Sequence, residues 1–259
     1  MKQYIVDAFT DKLFSGNPAA VCIMDRWPSD EDMLNIACEN NLSETAFCVK
    51  YDNIYKLRWF TPKDEIDLCG HATLATAFVI KNFIERERDV ISFDTLSGRL
   101  TVSVIDNVYE MTFPAYRLNK VAVTNEMEQS IGIRPIEAYK DRDLLMVIDN
   151  EDAVKNMSPD FALLKRLDGL CIAVTARSQQ YDCISRVFAP ELSIPEDPVT
   201  GSTHCMIAPY WADKLGKSHI TAFQASERTG LLMCEVCNDG KVKISGKAAL
   251  YAISEIMVN

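Results

Sequence analysis

Residues 58–62 read RWFTP and residues 186–190 read RVFAP, and each copy shortly precedes a glycine that opens an apolar, helix-like run. Gly70 leads into HATLATAFVI, and Gly201 leads into STHCMIAPYW. A third pair of markers, LSGRL at 96–100 and RTGLL at 228–232, has nearly the same offset. The chain is therefore internally repeated. This predicts two similar domains that face each other, with one site in the cleft between two related helix starts.

The length of the chain agrees with this division. Its 259 residues exceed the ~150 residues of a typical single domain, so two domains are expected. We place the first domain at 1–115 and the second at 116–259, with the boundary in the segment PAYRLNK (114–120). The last strand is free to cross to the first domain.

Charge and cysteine content exclude several classes of protein. The chain has 27 basic and 37 acidic residues, a net charge of −10, which repels phosphate backbones, so we expect no nucleic-acid partner. No apolar run approaches the ~20 residues that span a bilayer, so we expect no membrane association. Nine cysteines without a signal-peptide pattern indicate a reducing, cytoplasmic location. The one C-x-x-C pair, at 234–237, lacks further ligands at zinc spacing, so we expect no metal.

Two apolar runs predict the architecture. Residues 71–80 are apolar on nearly every side, as in a buried helix, and short alternating strands surround them in the sequence. The second half repeats this scheme around a helix from about residue 202, in which Pro209 should remove one backbone bond and bend the axis. The predicted fold class is α+β, with two pseudo-symmetric domains. Each domain is a largely antiparallel sheet curled around a central helix.

The two helix starts contain the groups best suited to chemistry. His71 follows Gly70, where the positive end of the helix dipole disfavours imidazolium. From its position alone it is either a capping or packed histidine or a neutral ring that exchanges protons near pH 7. The backbone N–H groups around Gly201, Ser202 and Thr203 form an anion site typical of a helix start. With the matching N–H groups at Gly70, they would hold a substrate carboxylate.

Acidic residues near these starts are ambiguous from their positions alone. Glu44 lies between a helix end and a strand start, where most carboxylates are solvated. Glu65, Asp64 and Asp67 are interpreted as solvated turn charges in the same way. Asp197 precedes the second helix start, where simple capping and a functional role are equally consistent with the sequence.

Four stretches of the chain resemble the PhzF-like isomerase family of phenazine biosynthesis. They are VDAFT and FSGNPAAV within 6–21, NLSETAF at 41–47, RWFTP and EIDLCGHATLA within 58–75, and EDPVTGSTHC at 196–205. The motifs are long, ordered and correctly spaced, and together they cover essentially the whole chain. The resemblance implies a fold similar to that of diaminopimelate epimerase, with two similar halves and the site between them.

The same resemblance implies roles for particular residues. The family's catalytic glutamate falls on Glu44, its histidine on His71, its aspartate on Asp197 and its serine on Ser202. The family activity is isomerisation of a dihydro-hydroxyanthranilate, in which the glutamate moves a proton between ring carbons without cofactor or metal. Asn17, in the SGNP turn, is expected to line the cleft. The expected partner is a small carboxylated substrate. The oligomeric state stays open from the sequence, with a homodimer, the commonest oligomer, as one possibility.

A comparison with related racemases and epimerases leaves alternatives open. Those enzymes use two cysteines, one at each helix start. Cys69 resembles the first, but Pro198 aligns with the second and has no acid or base, so a two-thiol racemase is not expected. A racemase or epimerase that uses Glu44 or Cys69 as one base remains an alternative. So does a binding protein that retains the cleft without turnover.

Overall fold

The computed structural model describes residues 1–190 and 194–257. The chain forms two compact units. The first unit comprises Met1–Thr112 with the described residues from Ser245 onward, and the second unit comprises Phe113–Ile244. The C-terminal strand therefore belongs to the first unit, a crossing that the division at 115/116 had left open. No helix in the described part of the chain is long and apolar enough to cross a membrane.

Six helices and seventeen strands occur among the described residues. The helices are α1 (Asp30–Asn40), α2 (Gly70–Val79), α3 (Asn125–Ile131), α4 (Glu151–Asn156), α5 (Phe161–Leu164) and α6 (His204–Leu215). The strands of the first unit and its boundary are β1 (Lys2–Ala8), β2 (Asn17–Met24), β3 (Glu44–Tyr51), β4 (Ile54–Phe60), β5 (Glu65–Ile66), β6 (Val90–Thr95), β7 (Gly98–Ile105) and β8 (Val108–Pro114). The remaining strands are β9 (Asn119–Val121), β10 (Glu137–Lys140), β11 (Leu144–Val147), β12 (Ile172–Arg177), β13 (Cys183–Phe188), β14 (His219–Gln224), β15 (Gly230–Val236), β16 (Lys241–Gly246) and β17 (Ala248–Glu255).

The first unit is a sheet curled around α2. Its strands follow the order β17-β1-β2-β3-β4-β6-β7-β8, with β5 also on β4. The pairs are antiparallel except β2–β3 and β4–β6, which are parallel. Helix α2 packs on β1, β2 and β3 and also reaches β7 and β17, near opposite ends of this order. A flat sheet would not bring both ends to one helix, so the sheet is curled.

The composition of α2 suits this central position. Eight of its ten residues are buried, which leaves no face for solvent. Its two buried threonines satisfy their hydroxyls within the helix, since Thr73 donates to the Cys69 carbonyl at 2.5 Å and Thr76 to the Ala72 carbonyl at 2.7 Å. Buried hydroxyls are tolerated only when they are hydrogen-bonded in this way. A π-helical turn, Ile80–Ile84, continues α2 at its C-terminal end.

The second unit repeats this plan around α6. Its strands follow the order β9-β10-β11-β12-β13-β14-β15, and the two parallel pairs, β11–β12 and β13–β14, occupy the positions of β2–β3 and β4–β6. Helix α6 packs on β14 and β15. From the same helix, Trp211 donates to Thr175 of β12 at 2.9 Å and Tyr210 donates to Glu137 of β10 at 2.7 Å. The predicted α+β class, with a largely antiparallel curled sheet around each helix, is confirmed.

The repeated R-x-F-x-P motif builds the same corner in each unit. Arg58 makes two hydrogen bonds of 2.6 Å to the carboxylate of Glu65. Arg186 makes the equivalent pair to Glu196, at 2.7 and 2.8 Å. Each guanidinium also lies over the ring of the phenylalanine two residues later, at 5.2 and 5.3 Å. The interpretation of Glu65 as a solvated charge was therefore wrong, because its arginine lies on the neighbouring strand.

The second central helix begins later than the sequence indicated. It starts at His204, not near 202, because residues 201–203 form turns. Pro209 lies inside it, as expected, and cannot donate the backbone hydrogen bond that would reach Cys205. The Cys205 carbonyl instead accepts the N–H of Tyr116 at 2.9 Å. The chain segment that opens the second unit thus replaces the bond that proline removes.

Candidate active site

The first unit places Glu44 at the start of β3, on the face that α2 covers. Glu44 pairs with Ala19 in the parallel ladder of β2 and β3, and Asn17 lies two residues earlier on β2. Because side chains two apart in a strand share a face, Asn17 and Glu44 lie on the same side of the sheet. Both are buried, Glu44 with 7% of its surface exposed. The fold therefore buries the carboxyl group of Glu44, although its position in the sequence suggested a solvated one.

The turn before Asn17 depends on one glycine. Gly16 has φ +71°, and a Cβ at this position would lie 2.2 Å from the carbonyl oxygen of Ala8. No other residue fits this approach without moving the backbone. The preceding loop is fixed by Asp7, whose carboxylate accepts the N–H of Phe14 at 3.1 Å. The SGNP turn thus fixes the position at which Asn17 enters β2.

His71, the second residue of α2, lies between Glu44 and Cys69. Its Nε2 is 3.0 Å from Oε2 of Glu44, and its Nδ1 is 3.5 Å from Sγ of Cys69. The contact with Glu44 has the distance of an ion pair but not the angles of a hydrogen bond, so Nε2 and Oε2 have no hydrogen-bond partner among the described residues. Buried polar atoms without a hydrogen-bond partner are uncommon in proteins, and here two of them face each other across 3.0 Å.

The charges around His71 reverse the predicted direction of its pKa. Burial by itself lowers the pKa of His71, but the charges of Cys69 and Glu44 outweigh burial and raise it well above 6.5. Burial acts in the opposite direction on Cys69, where it raises the pKa of the thiol, and the nearby Glu44 raises that pKa further. The prediction of a neutral ring was wrong because it considered only the helix dipole, and not a carboxylate from another strand.

Glu44, Cys69 and His71 are also the one group of possible metal ligands found among the described residues, with ligand atoms within 4.8 Å of one another. The sulfur contacts Nδ1 and the carboxylate contacts Nε2, on opposite sides of the ring. One ion coordinated by a single ring nitrogen would have to replace one of these two contacts. The arrangement is therefore better suited to moving and holding protons than to holding an ion with all three groups.

The second unit contains the other predicted group, in the loop that precedes α6. Asp197 accepts a hydrogen bond of 2.6 Å from the Thr200 hydroxyl, and its backbone N–H donates to Val187 at 3.0 Å. Gln224 of β14 holds the same loop, because its amide donates to the Asp197 carbonyl at 2.7 Å and accepts the Thr200 N–H at 2.9 Å. The Arg186–Glu196 pair fixes the residue just before Asp197. Asp197 is thus held from both sides.

The buried carboxylate of Asp143 binds Thr203, the residue that follows Gly201 and Ser202 in the turn before α6. The hydroxyl of Thr203 donates to Asp143 at 2.9 Å, and Cys171 donates its N–H to the same carboxylate at 3.2 Å. Burial raises the pKa of Asp143, against the lowering effect of Arg142. Thr203, predicted to bind substrate, therefore directs its hydroxyl to the protein. Ser202 is half-buried.

His204, the first residue of α6, has no contact with solvent. Its Nδ1 lies 2.7 Å from the Thr200 carbonyl, so this nitrogen carries the proton and donates it. Nε2 has no hydrogen-bond partner in the described structure, and burial lowers the pKa of the ring to about 4. His204 is a neutral structural residue.

Sequence reasoning missed two polar residues that organise the second loop. Gln224 and Asp143 are both fully buried, and both hold the residues between Asp197 and Thr203. Gln224 gives a weak signal as an amide in an apolar strand pattern. Asp143 gives none, because its partner Thr203 is sixty residues away in sequence.

Comparison with known proteins agrees with the motifs. A family model described as phenazine biosynthesis-like protein, PhzC-PhzF, matches residues 6–253. A Pseudomonas aeruginosa protein named an uncharacterized isomerase is 50% identical over 246 residues, which are 95% of each chain. The crystal structure of an Enterococcus faecalis protein of the PhzF family is 45% identical, covers 99% of both chains and has a TM-score of 0.97. A probable proline racemase from Agrobacterium radiobacter is 10% identical, covers all of this chain and 93% of that one, and has a TM-score of 0.61, a likeness of fold alone.

Proposed function

The chain belongs to the PhzC-PhzF family of phenazine biosynthesis-like proteins, and we propose that it is an isomerase in which Glu44 moves a proton within a small carboxylated metabolite. The observation that carries this proposal is the buried pair of Glu44 and His71. Their facing atoms lie 3.0 Å apart without hydrogen-bond geometry. A relative that is 50% identical is named an isomerase, which supports the reaction class.

The burial of Glu44 suits it to act as a general base. A carboxylate with little contact with water is a stronger base toward a carbon acid than a solvated one, because no hydration shell must be removed. In the proposed reaction, Glu44 accepts the proton as the C–H bond breaks, and the electron pair passes into an adjacent unsaturated or carbonyl system. Glu44 then delivers a proton to a different carbon, and its carboxylic acid proton exchanges with solvent between the two transfers, so that a reaction in D2O places deuterium on the substrate. No electrons are gained or lost overall, so the step requires no redox cofactor.

His71 is proposed to hold the carboxylate in position and to balance its charge. The raised pKa of His71 means that the ring favours its protonated form beside Glu44. A cation at 3.0 Å stabilises the ionised carboxylate before the proton is taken and after it is returned. Asn17, on the same face of the sheet, and the backbone of Gly70 are proposed to contact the substrate.

The loop of the second unit is proposed to take part in substrate binding. The family resemblance assigns Asp197, Ser202 and the neighbouring Gly201 and Thr203 to this role. The hydrogen bonds from Thr200 and Gln224 support it, because they fix the loop before any ligand arrives, which lowers the entropic cost of binding.

The test is exchange of substrate hydrogen with solvent. The protein is incubated in D2O with a panel of unsaturated, hydroxy and amino carboxylic acids, and deuterium uptake is followed by mass spectrometry. Glu44→Gln should slow uptake by about 10²–10⁴-fold, the usual contribution of a general base. Glu39→Gln makes the same chemical change on an exposed position of α1 and should leave the rate unchanged.

Three results are informative. Wild-type rates in Glu44→Gln would contradict the assignment of the base. Uptake only at the α-carbon, with inversion and no shift of a double bond, would indicate the racemase alternative. A wild-type protein that exchanges no member of the panel would contradict the isomerase proposal and favour a binding protein.

A further inference from the structure

We infer that Cys69 is a positioning residue: its thiol holds Nδ1 of His71 and thereby keeps a hydrogen on Nε2, directed at Glu44. The inference rests on the proposed function for its catalytic consequence, but the geometry of the ring can be tested without substrate. It extends the family motif to a side chain to which the proposed reaction assigns no role.

The backbone holds the sulfur firmly in place. Cys69 is the residue that precedes α2, in extended conformation, and its carbonyl accepts both the hydroxyl and the N–H of Thr73, at 2.5 and 3.2 Å. Its side chain makes no capping hydrogen bond with the helix. The thiol is 6% exposed and lies 3.5 Å from Nδ1, within hydrogen-bond distance for sulfur.

A thiol can serve either charge state of the ring. When His71 is an imidazolium, both nitrogens are donors, and Nδ1–H is directed at the sulfur lone pairs. When the ring loses a proton, the S–H group can donate to Nδ1 instead. The proton that leaves is then the one on Nδ1, and Nε2 keeps its own. Through both states the face toward Glu44 therefore presents an N–H group.

The consequence concerns which carboxylate oxygen reacts. Nε2 lies 3.0 Å from Oε2 of Glu44, so a hydrogen on Nε2 attracts that oxygen electrostatically and makes it the less reactive of the two. The other oxygen, Oε1, is then the one that takes and returns the substrate proton. A neutral imidazole without a hydrogen-bond partner at Nδ1 can also adopt the tautomer that carries its hydrogen on Nδ1. In that tautomer the lone pair of Nε2 would face the carboxylate and repel it.

The protonation of the two ring nitrogens of His71 can be measured by ¹⁵N NMR. The chain has three histidines, so ¹⁵N-histidine spectra can be assigned with His204→Asn and His219→Asn. The neutral His71 ring should show a protonated Nε2 and an acceptor Nδ1. In Cys69→Ala both nitrogens should shift toward averaged values, whereas Cys69→Ser, which can donate and accept as the thiol does, should restore the wild-type pattern.

The kinetic arm uses the deuterium exchange of the preferred substrate. At alkaline pH, where the His71 ring is neutral and its tautomer matters, Cys69→Ala should lower kcat about tenfold and change KM less than twofold, and Cys69→Ser should recover most of the loss. At lower pH, where both ring nitrogens carry hydrogen, the variants should approach the wild-type rate. Cys48→Ala removes a different buried thiol, which lies on β3 four residues after Glu44, and this variant should match wild type in both the NMR spectrum and the kinetics.

The outcomes separate the two proposals. A His71 spectrum that is unchanged in Cys69→Ala would overturn the inference, whatever the activity. Equal losses in Cys69→Ala and Cys69→Ser with unchanged spectra would reduce Cys69 to a packing role and also overturn it. A fixed Nε2–H tautomer in a protein whose Glu44→Gln variant is fully active would preserve the positioning of the ring and refute the proposed function.

Discussion

Lowering the pH from 7 to 5 should destabilise the folded protein through His204. The folded ring has a pKa of about 4, because it is completely buried, against about 6.5 when exposed. A group whose pKa is depressed by folding contributes stability above its unfolded pKa and loses it as the pH falls toward the folded value. The affected window therefore runs from pH 6.5 down to about 4.

The size of the effect follows from the two pKa values. The difference between 6.5 and about 4, at 1.36 kcal/mol per pKa unit, corresponds to a loss of about 3 kcal/mol when complete. Between pH 6.5 and 5 the loss is about 2 kcal/mol. The part of this window between pH 6.5 and 5 lies above the range in which Glu137 loses stability, because that range runs from the unfolded pKa of 4.5 down to the folded value of about 2, which is held low by the hydrogen bond from Tyr210.

His71, the other buried histidine, changes the folding stability at a pH above this window. Because folding raises the pKa of His71, its contribution is fully present below pH 6.5 and is lost as the pH rises through the folded value. His71 therefore does not alter the change between pH 6.5 and 5. It adds a second, opposite slope on the alkaline side.

The assay is urea unfolding at several pH values, followed by the fluorescence of the tryptophans, of which Trp211 lies on the same helix as His204. The control is His204→Asn, whose amide can still donate to the Thr200 carbonyl but does not titrate. The variant should lack the extra loss between pH 6.5 and 5. A wild-type protein and a variant with the same pH dependence would refute the reasoning, because they would show that the buried ring accepts a proton without cost.

Two further predictions concern packing and ion-pair contacts within each of the two units. Arg186→Lys should cost about 1–3 kcal/mol, because lysine cannot reproduce the two-point contact with Glu196, and an unchanged urea midpoint would contradict this. Gly246→Ala should cost about 1–3 kcal/mol, since the added methyl would lie 2.4 Å from Cδ1 of Phe9 and 3.2 Å from its Cα. Gly70→Ala meets nothing within 4 Å and should unfold at the wild-type temperature or above it, so equal losses in the two glycine variants would argue against close packing as the cause.

Elements with a strong repeat or a clear apolar pattern could be predicted from the sequence, and weaker ones could not. The central helix at 70–79 was expected because apolar residues surround it on every side. Helices α3, α4 and α5, with seven, six and four residues, were missed. Each begins with a capping side chain, from Thr124, Asn150 and Asp160, that the sequence does show. Helices this short have little periodicity, so their caps were the remaining signal.

The candidate site shows the same division in its electrostatics. The motifs identified Glu44, His71 and Asp197 as residues of interest, but the environments of Glu44 and His71 depended on a contact between β3 and α2, which are far apart in the chain. The pKa of His71 was predicted in the wrong direction because Glu44 comes from a different strand. Glu65 was interpreted as solvated because the approach of Arg58 depends on strand pairing.

The sequence by itself determined the architecture, since a duplicated pattern of glycine, apolar helix and short strands can bury its apolar residues only by curling a sheet around each helix. The repeated motifs RWFTP and RVFAP form two equivalent arginine–glutamate corners. Only the tertiary structure decided the chemistry of the first helix start. The charge on a buried group depends on what lies within a few ångströms of it, and at His71 those neighbours are a carboxylate from β3 and a thiol from the residue before α2.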